Sequence, residues 1–176
     1  IPGDPDWAGG RTFVDRRSYT VRASGESTFA AVARIGGATG YYSANWLWQL
    51  RGWLDRLVGG PGLRRGRRDP EHVAFGDALD FWRVLEVAPP NRLILLAEMK
   101  MPGEALLDFQ MAPRGPGRTE LRMISRFLPR GLGGLAYWYS LYPFHVWIFK
   151  GMLTAVGTRA IARGWKAWLS LDRHMG

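Results

Sequence analysis

The feature that most constrains the fold is a long amphipathic segment in the last third of the chain, residues 131–162. Apolar residues recur there at alternating intervals of three and four, which keeps side chains on one face of a helix. The stripe consists of Leu132, Leu135, Tyr139, Tyr142, Val146, Phe149, Leu153, Val156 and Ala160. Residues 131–149 could just cross a bilayer. Their hydrophobicity is diluted by Gly133, Gly134, Ser140, Tyr142, Pro143 and His145, and Lys150 follows at once, so we interpret the segment as a buried core helix.

The residues before this helix indicate a sheet, because short apolar runs alternate with turns rich in proline and glycine. We predict strands at 13–23, 78–87, 92–101, 105–111 and 118–128. Two helices, 25–35 and 44–58, separate the first strand from the others, and Ser24 can cap the first of them. The order predicts an α+β fold in which a curved antiparallel sheet wraps around the C-terminal helix. Such a shape can enclose a ligand cavity.

Length and composition fit one domain with a full core, since 47% of the 176 residues are hydrophobic. Residues 1–12 are rich in proline and glycine and indicate an arm or linker. We assign the domain to 13–163 and a tail to 164–176. The chain begins at Ile1 and shows no secretory signal, so we expect a piece of a longer, cytoplasmic polypeptide. The absence of cysteine excludes disulfides and a cysteine nucleophile.

The net charge is +9, and 21 of the 24 basic residues are arginine. The densest group lies in one loop and consists of Arg64, Arg65, Arg67 and Arg68. Arginine clusters bind phosphate, so this loop could contact an anion or a neighbouring domain. The alternative is a solvated basic loop. No nucleic-acid-binding signature accompanies it, and membrane contact is disfavoured.

The C-terminal helix carries the first candidates for chemistry. His145 borders the apolar stripe and could act as a general base or as a hydrogen-bond partner of a ligand. The alternative is a histidine bonded to a neighbouring side chain. The hydroxyl groups of Tyr139, Tyr142 and nearby Tyr137 could orient a ligand oxygen, or these rings could simply pack.

Charges on the predicted strands are the second set of candidates. In the strand 78–87, Phe81 and Arg83 share one face and Trp82 lies on the other. Glu98 and Asp108 share faces with apolar neighbours in the next two strands. If these faces point inward, Arg83 and the carboxylates form a buried cluster suited to acid–base chemistry. If they point outward, the same residues form cross-strand ion pairs.

The candidate site combines residues of the C-terminal helix with residues of the predicted strands. The residues expected to contact a ligand are Phe81, Trp82, Glu98, Asp108, Tyr139, Tyr142 and Phe149. Those expected to act in any catalysis are His145, Tyr142 and Arg83. Four of the nine tryptophans could line the cavity mouth or belong to the core, namely Trp46, Trp48, Trp53 and Trp82. The three scattered histidines lack zinc-like spacing, and we predict no metal site.

The element order resembles the helix-grip fold of the START/SRPBCC superfamily. The sequence also resembles an uncharacterised bacterial domain often joined to the C-terminus of a short-chain-dehydrogenase-like NAD(P)-binding domain. The residues that carry the resemblance are DPDWAGG (4–10), LWQLRGWLDRLVGGPGLRRGRRDP (47–70), GDALDFWRV (76–84), AEMKMPGEALLDF (97–109) and FLPRGLGGLAYWYSLYPFH (127–145). The chain lacks the G-x-G-x-x-G fingerprint, so NAD(P) is expected only if a nucleotide-binding domain precedes it.

The resemblance implies a cavity for lipids, polyketides or other apolar molecules between the sheet and the helix. We therefore expect a binding module that serves an attached oxidoreductase-like domain. The first alternative is a cyclase or dehydratase acting on a polyketide-like substrate. The second is a protein or membrane-surface interaction module that uses the arginine loop and exposed tryptophans.

Overall fold

The computed structural model describes residues 11–36, 49, 52–53, 56–57, 59, 68–69 and 71–172, with side chains as far as residue 164. Within these ranges, six strands form one antiparallel sheet. One helix follows the first strand, and a long helix follows the last strand. The strands are β1 (Phe13–Val21), β2 (Ala78–Leu79), β3 (Trp82–Ala88), β4 (Arg92–Ala97), β5 (Gly103–Pro113) and β6 (Thr119–Pro129). The helices are α1 (Gly25–Ala33) and α2 (Gly131–Asp172).

The strand order is β1-β6-β5-β4-β3-β2, so β1 pairs with the last strand rather than the next one. The curved sheet packs one face against α2, and we call this the inner face. It carries the core side chains of β5 and β6, which alternate with polar residues that point away from the helix. The predicted helix-grip arrangement is confirmed.

One predicted strand is wrong in detail. Residues 78–87 form two strands, because the chain turns at Asp80 and Phe81 and pairs Leu79 with Trp82. Asp80 has φ 58°, a left-handed conformation that aspartate tolerates better than most residues. A register shift between Val84 and Glu86 further interrupts the alternation. The remaining strands differ from the prediction by a few residues at their ends.

The first helix begins as predicted. Ser24 caps α1, since its Oγ accepts a hydrogen bond from the backbone N–H of Ser27 at 3.2 Å. The helix ends at Ala33, two residues before the predicted end, and Gly36 follows with φ 87°. The second predicted helix, 44–58, lies largely outside the described residues, although residues 49, 52, 53, 56 and 57 are helical.

The long helix extends beyond the prediction, because α2 continues past residue 162 to Asp172. The predicted stripe is correct in the second half of the helix, where Phe149, Leu153 and Val156 are buried. It is wrong in the first half, where Leu132 is 84% exposed and Trp138 is buried instead. An apolar repeat of 3.5 residues drifts about 20° per heptad around a straight helix. Over four heptads the stripe therefore rotates by roughly 80° and leaves the sheet.

The core lies between α2, α1 and the inner face. Met123 and Leu121 of β6 belong to one apolar cluster with Met152 and Val156 of α2. Gly157 permits close contact between helix and sheet, since a β-carbon there would lie 2.6 Å from Cε1 of Tyr19. Across the part of the chain that the structure describes, no helix combines the length and the hydropathy needed to cross a bilayer.

Candidate functional site

The first strand contributes charged side chains to the inner face. Its register with β6 and the alternation of side chains place Phe13, Asp15 and Arg17 on the side of α2. The guanidinium of Arg17 donates two hydrogen bonds to Oδ2 of Asp15, at 3.0 and 2.7 Å. Its Nη1 donates a third, at 3.1 Å, to the backbone carbonyl of Val146 in α2. A mostly buried ion pair thus connects β1 to the long helix.

His145 lies on α2 next to this ion pair. Its ring stacks on Phe149, with the two planes 5° apart and the centroids 5.2 Å apart, and it also contacts Trp138. Its Nδ1 is buried and has no hydrogen-bond partner among the described residues. Burial lowers the pKa of His145 below its ordinary value of 6.5; the carboxylate of Asp15 opposes this shift, and the guanidinium of Arg17 reinforces it. The imidazole is therefore neutral at pH 7.

Ser125 extends the polar region across the sheet. It lies opposite Asp15 in the pairing of β1 with β6, is 8% exposed, and alternates with residues that point away from the helix. We call Asp15, Arg17, Ser125 and His145 the inner polar group. Buried polar side chains cost stability unless they are hydrogen-bonded, and the Nδ1 of His145 lacks a partner among the described residues, so this group marks the candidate site.

Aromatic rings surround the inner polar group. Trp138 stacks on Phe13 at 5.2 Å and on Phe127 at 5.6 Å, with the Phe127 ring tilted by only 9°. The ring of Tyr137 packs against Phe127, and the ring of Tyr142 packs against Trp138. The region combines apolar rings with one neutral hydrogen-bonding group, a composition that is typical of a small-molecule site.

The predicted tyrosines lie at the edge of this region or outside it. Tyr139 is 64% exposed and meets Phe13 only through its ring edge. Tyr142 is 45% exposed. Both belong to the part of the stripe that rotates away from the sheet. The expectation that Tyr139 lines the interior is therefore wrong, and Tyr142 lies at the edge of the region. Phe149, by contrast, is buried beside His145.

The predicted strand charges lie on the outer face of the sheet. Asp108 alternates with Leu107 and Phe109, which point inward, so its carboxylate points away from α2. It accepts hydrogen bonds from Arg92 at 3.1 and 3.0 Å and from Arg126 at 3.3 Å. The cluster is therefore a set of cross-strand ion pairs, and it does not border the interior.

Arg83 and Glu98 form a second pair on the same outer face. Nε and Nη2 of Arg83 donate to the two carboxylate oxygens of Glu98 at 2.9 and 3.2 Å, and Nη1 donates to the carbonyl of Gly76. In the pairing of β3 with β4, Arg83 lies opposite Leu96, and the next pair is Val84 with Leu95. Val84 and Leu95 point into the core, so the side chain of Arg83 points to the other face of the sheet. A role for Arg83 beside an interior ligand is thus wrong.

Phe81 and Trp82 are both buried, but they lie at the β3 side of the sheet, far from the inner polar group. Phe81 belongs to the turn and packs against Trp82 at 5.4 Å. Trp82 lies opposite Ala97 on the inner face, and its indole N–H lacks a hydrogen-bond partner within the described ranges. The structure therefore does not bring these two residues to His145.

The arginine loop is only partly described. Arg68 is 62% exposed, and its guanidinium binds both carboxylate oxygens of Asp77 at 3.0 and 3.2 Å. The three other loop arginines lie outside the described residues, as do Trp46 and Trp48. Trp53 is 58% exposed.

Sequence reasoning missed Asp15, Arg17 and Ser125. The available signal was the alternation in β1, where Asp15 and Arg17 share a face with Tyr19 and Val21. An inward aspartate and arginine two residues apart can neutralise each other, which permits charged residues on a core-facing strand.

The family described as "Protein of unknown function (DUF2867)" matches residues 7–152. The chain belongs to this family. No curated protein matches it. The family match covers β1 to the first half of α2 and so includes every member of the inner polar group.

Solved structures with the same fold share little sequence with this DUF2867 member. The Zhui aromatase/cyclase from Streptomyces sp. R1128 is 13% identical over 87% of this chain and 96% of that chain, with a TM-score of 0.55. A norcoclaurine synthase mutant from Thalictrum flavum, in complex with a transition-state analogue, is 10% identical over the same shares, with a TM-score of 0.55. Ara h 8.0201 is 7% identical over 86% and 99%, with a TM-score of 0.53. These similarities establish the helix-grip fold.

Proposed function

We propose that this protein binds an apolar small molecule between the inner face of the sheet and the first half of α2. The observation that carries the proposal is the buried Nδ1 of His145, which lacks a protein partner among the described residues and lies between aromatic rings. An unpaired buried polar atom costs about 1–3 kcal/mol. A ligand hydroxyl or carbonyl beside the ring would recover that cost.

The electrostatics favour a neutral ligand. Each nitrogen of Arg17 donates a hydrogen bond, two of them to Asp15 and the third to the carbonyl of Val146, so its charge is compensated by Asp15. The imidazole of His145 is neutral at pH 7 because burial lowers its pKa. Neither Arg17 nor His145 therefore offers a free positive charge to a ligand carboxylate or phosphate. Aromatic walls and one neutral polar contact suit a flat hydrophobic molecule with an oxygen substituent, such as a polyketide.

A second candidate function is acid–base catalysis of the cyclase or dehydratase type. It is favoured by the same histidine, since a neutral imidazole next to an oriented carboxylate–guanidinium pair can accept a proton from a bound ligand. The Zhui protein is an aromatase/cyclase, so this fold supports such chemistry in that protein. Here His145 would accept the proton, and Arg17 and Asp15 would position α2 against β1.

The test is a comparison of two histidine-to-phenylalanine variants. Native mass spectrometry of the purified chain, followed by organic extraction, identifies any molecule that co-purifies. Its affinity is then measured for the wild type, for His145→Phe and for His72→Phe, since His72 is 81% exposed and distant from the site. We expect a loss of about tenfold for His145→Phe, the value of one hydrogen bond, and no change for His72→Phe.

Two results would contradict the proposal. The first is a purified chain that carries no apolar molecule and takes up no fluorescent hydrophobic probe. The second is equal affinity in the wild type and His145→Phe. Binding and catalysis are separated by incubating the identified molecule with the protein, since turnover abolished in His145→Phe would favour the second candidate.

We further propose that the domain serves beside an NAD(P)-binding domain. The support is the sequence resemblance alone, and the cytoplasmic location likewise stays a prediction. Titration of this chain with NADPH should give no saturable binding, because it lacks the G-x-G-x-x-G fingerprint. Binding with a dissociation constant in the micromolar range would overturn this division of roles.

A further inference from the structure

The outer side of the first half of α2 is unusually apolar. Five large side chains are exposed there, and we call them the aromatic patch: Leu132 at 84%, Tyr139 at 64%, Tyr142 at 45%, Phe144 at 53% and Trp147 at 56%. Their helical positions place them around the exposed Pro143, so they form one surface rather than scattered contacts. A contiguous apolar surface of this kind marks an interaction site.

The opposite side of the same helical turns is buried. Trp138, Ile148 and Phe149 pack in the core, so residues 131–149 are apolar on both sides. This segment contains no Asp, Glu, Lys or Arg. A helix that is apolar all round is normally covered all round. The described part of this chain covers only the inner side of residues 131–149. The aromatic patch on the outer side is therefore available to another apolar surface.

The charges beside the patch are positive. Arg130 precedes it and is 75% exposed, although it also reaches Glu104 at 3.4 Å. The exposed Lys150 follows it. The guanidinium of Arg11 lies 5.6 Å from the centre of the Phe13 ring, which in turn contacts Tyr139. With a net charge of +9 on the chain, the complementary surface is anionic.

An anionic bilayer meets both requirements, since its negative headgroups cover an apolar interior. Tyrosine and tryptophan prefer this boundary because each has an apolar ring and a polar tip. We propose that the aromatic patch seats α2 flat on an anionic membrane surface, with Arg130 and Lys150 at the level of the headgroups. Residues 132–147 would lie along roughly 23 Å of that surface. The proposal is independent of any ligand at His145.

The experiment is flotation of the purified chain with large vesicles of phosphatidylcholine, alone or mixed with anionic phosphatidylglycerol. The test variant is Phe144→Gln/Trp147→Gln, which removes two rings of the patch and leaves the net charge unchanged. The matched control is Phe75→Gln, since Phe75 is 77% exposed elsewhere on the molecule. Circular dichroism confirms that each variant folds. A second variant, Arg130→Gln/Lys150→Gln, removes the flanking charges and keeps the rings.

We expect the wild type to bind the anionic vesicles. The partition coefficient of the double aromatic variant on these vesicles should be lower by about tenfold or more, because the variant loses two interfacial rings. The partition coefficient of Phe75→Gln should stay within about twofold of the wild-type value. The charge variant should bind less and lose much of its dependence on salt.

Three outcomes would overturn the proposal. The first is a wild type that binds neither vesicle type. The second is equal binding by the wild type and the double aromatic variant, which would reduce the effect to net charge. The third is a concentration-dependent dimer in light scattering that the double aromatic variant abolishes, which would assign the patch to a second copy of this chain.

Discussion

Two leucines of α2 provide the most direct test of how the helix faces the sheet. Leu132 and Leu153 both belong to the apolar stripe in the sequence, yet Leu153 is 3% exposed and Leu132 is 84% exposed. Replacing each with alanine makes the same chemical change in the same helix. Because only the environment of the two leucines differs, the difference between the two losses in free energy of unfolding reports how far the stripe rotates away from the sheet.

The expected cost follows from burial. A buried leucine replaced by alanine loses its transfer free energy and leaves a cavity, which together cost about 2–5 kcal/mol. Leu153 lies in the core between α2 and the sheet, and we expect about 3 kcal/mol for Leu153→Ala. For a domain of this size, that loss lowers Tm by roughly 6–12 °C. Leu132→Ala should change the free energy of unfolding by less than about 0.5 kcal/mol, since its side chain already contacts solvent.

Urea denaturation and calorimetry on the two variants and the wild type measure these values. Equal losses near 3 kcal/mol for both variants would refute the reasoning, because they would show that the stripe contacts the sheet along its whole length. Two small losses would refute the burial of Leu153. A change in the m-value would mean that the variants alter the unfolded state and would require a different comparison.

The pKa of His145 in the folded protein lies below its ordinary value of 6.5, so the unfolded chain binds more protons than the folded chain as the pH falls below 6.5. The free energy of unfolding should therefore decrease below pH 6.5. Denaturation of His145→Phe should show a smaller decrease over the same pH range. Asp108→Ala should cost about 2–3 kcal/mol in urea denaturation, because the partly exposed Arg92 and Arg126 lose a fully buried partner. Ser24→Ala should cost about 1 kcal/mol, since α1 loses its cap.

Much of the fold could be predicted because local chemistry determines it. Proline and glycine turns separate the strands, and the cap at Ser24 fixes the start of α1. The turn at Asp80 was hidden, since the residues on both sides of it are apolar and continue an apparent strand. A left-handed aspartate is a feature of backbone geometry that the residue type permits but does not require.

The candidate site was less predictable, because it depends on which side of each element meets another element. The alternation of side chains along β5 correctly places Asp108 and Leu106 on the same face of the sheet. It does not determine which face of the sheet contacts α2. His145 was a candidate because it borders the apolar stripe. The stripe rotates around the helix in the first half of α2, and this rotation places His145 toward the sheet. Asp15 and Arg17 were missed because two charged residues on one strand face resemble a solvated surface until their mutual hydrogen bonds are known.

The pairing of β1 with β6 also has a consequence for the order of folding. Phe13 pairs with Phe127 and Val21 with Thr119, so about a hundred residues separate the partners. The hairpins from β3 to β6 join neighbouring segments and need far smaller loop closures. We therefore expect β1 to join the sheet last. Pulse-labelling hydrogen exchange would show this as late protection of the β1 amides, and early protection there would contradict it. Because β1 supplies Asp15 and Arg17, partly folded chains would lack a complete inner polar group, and ligand binding would report only on fully assembled molecules.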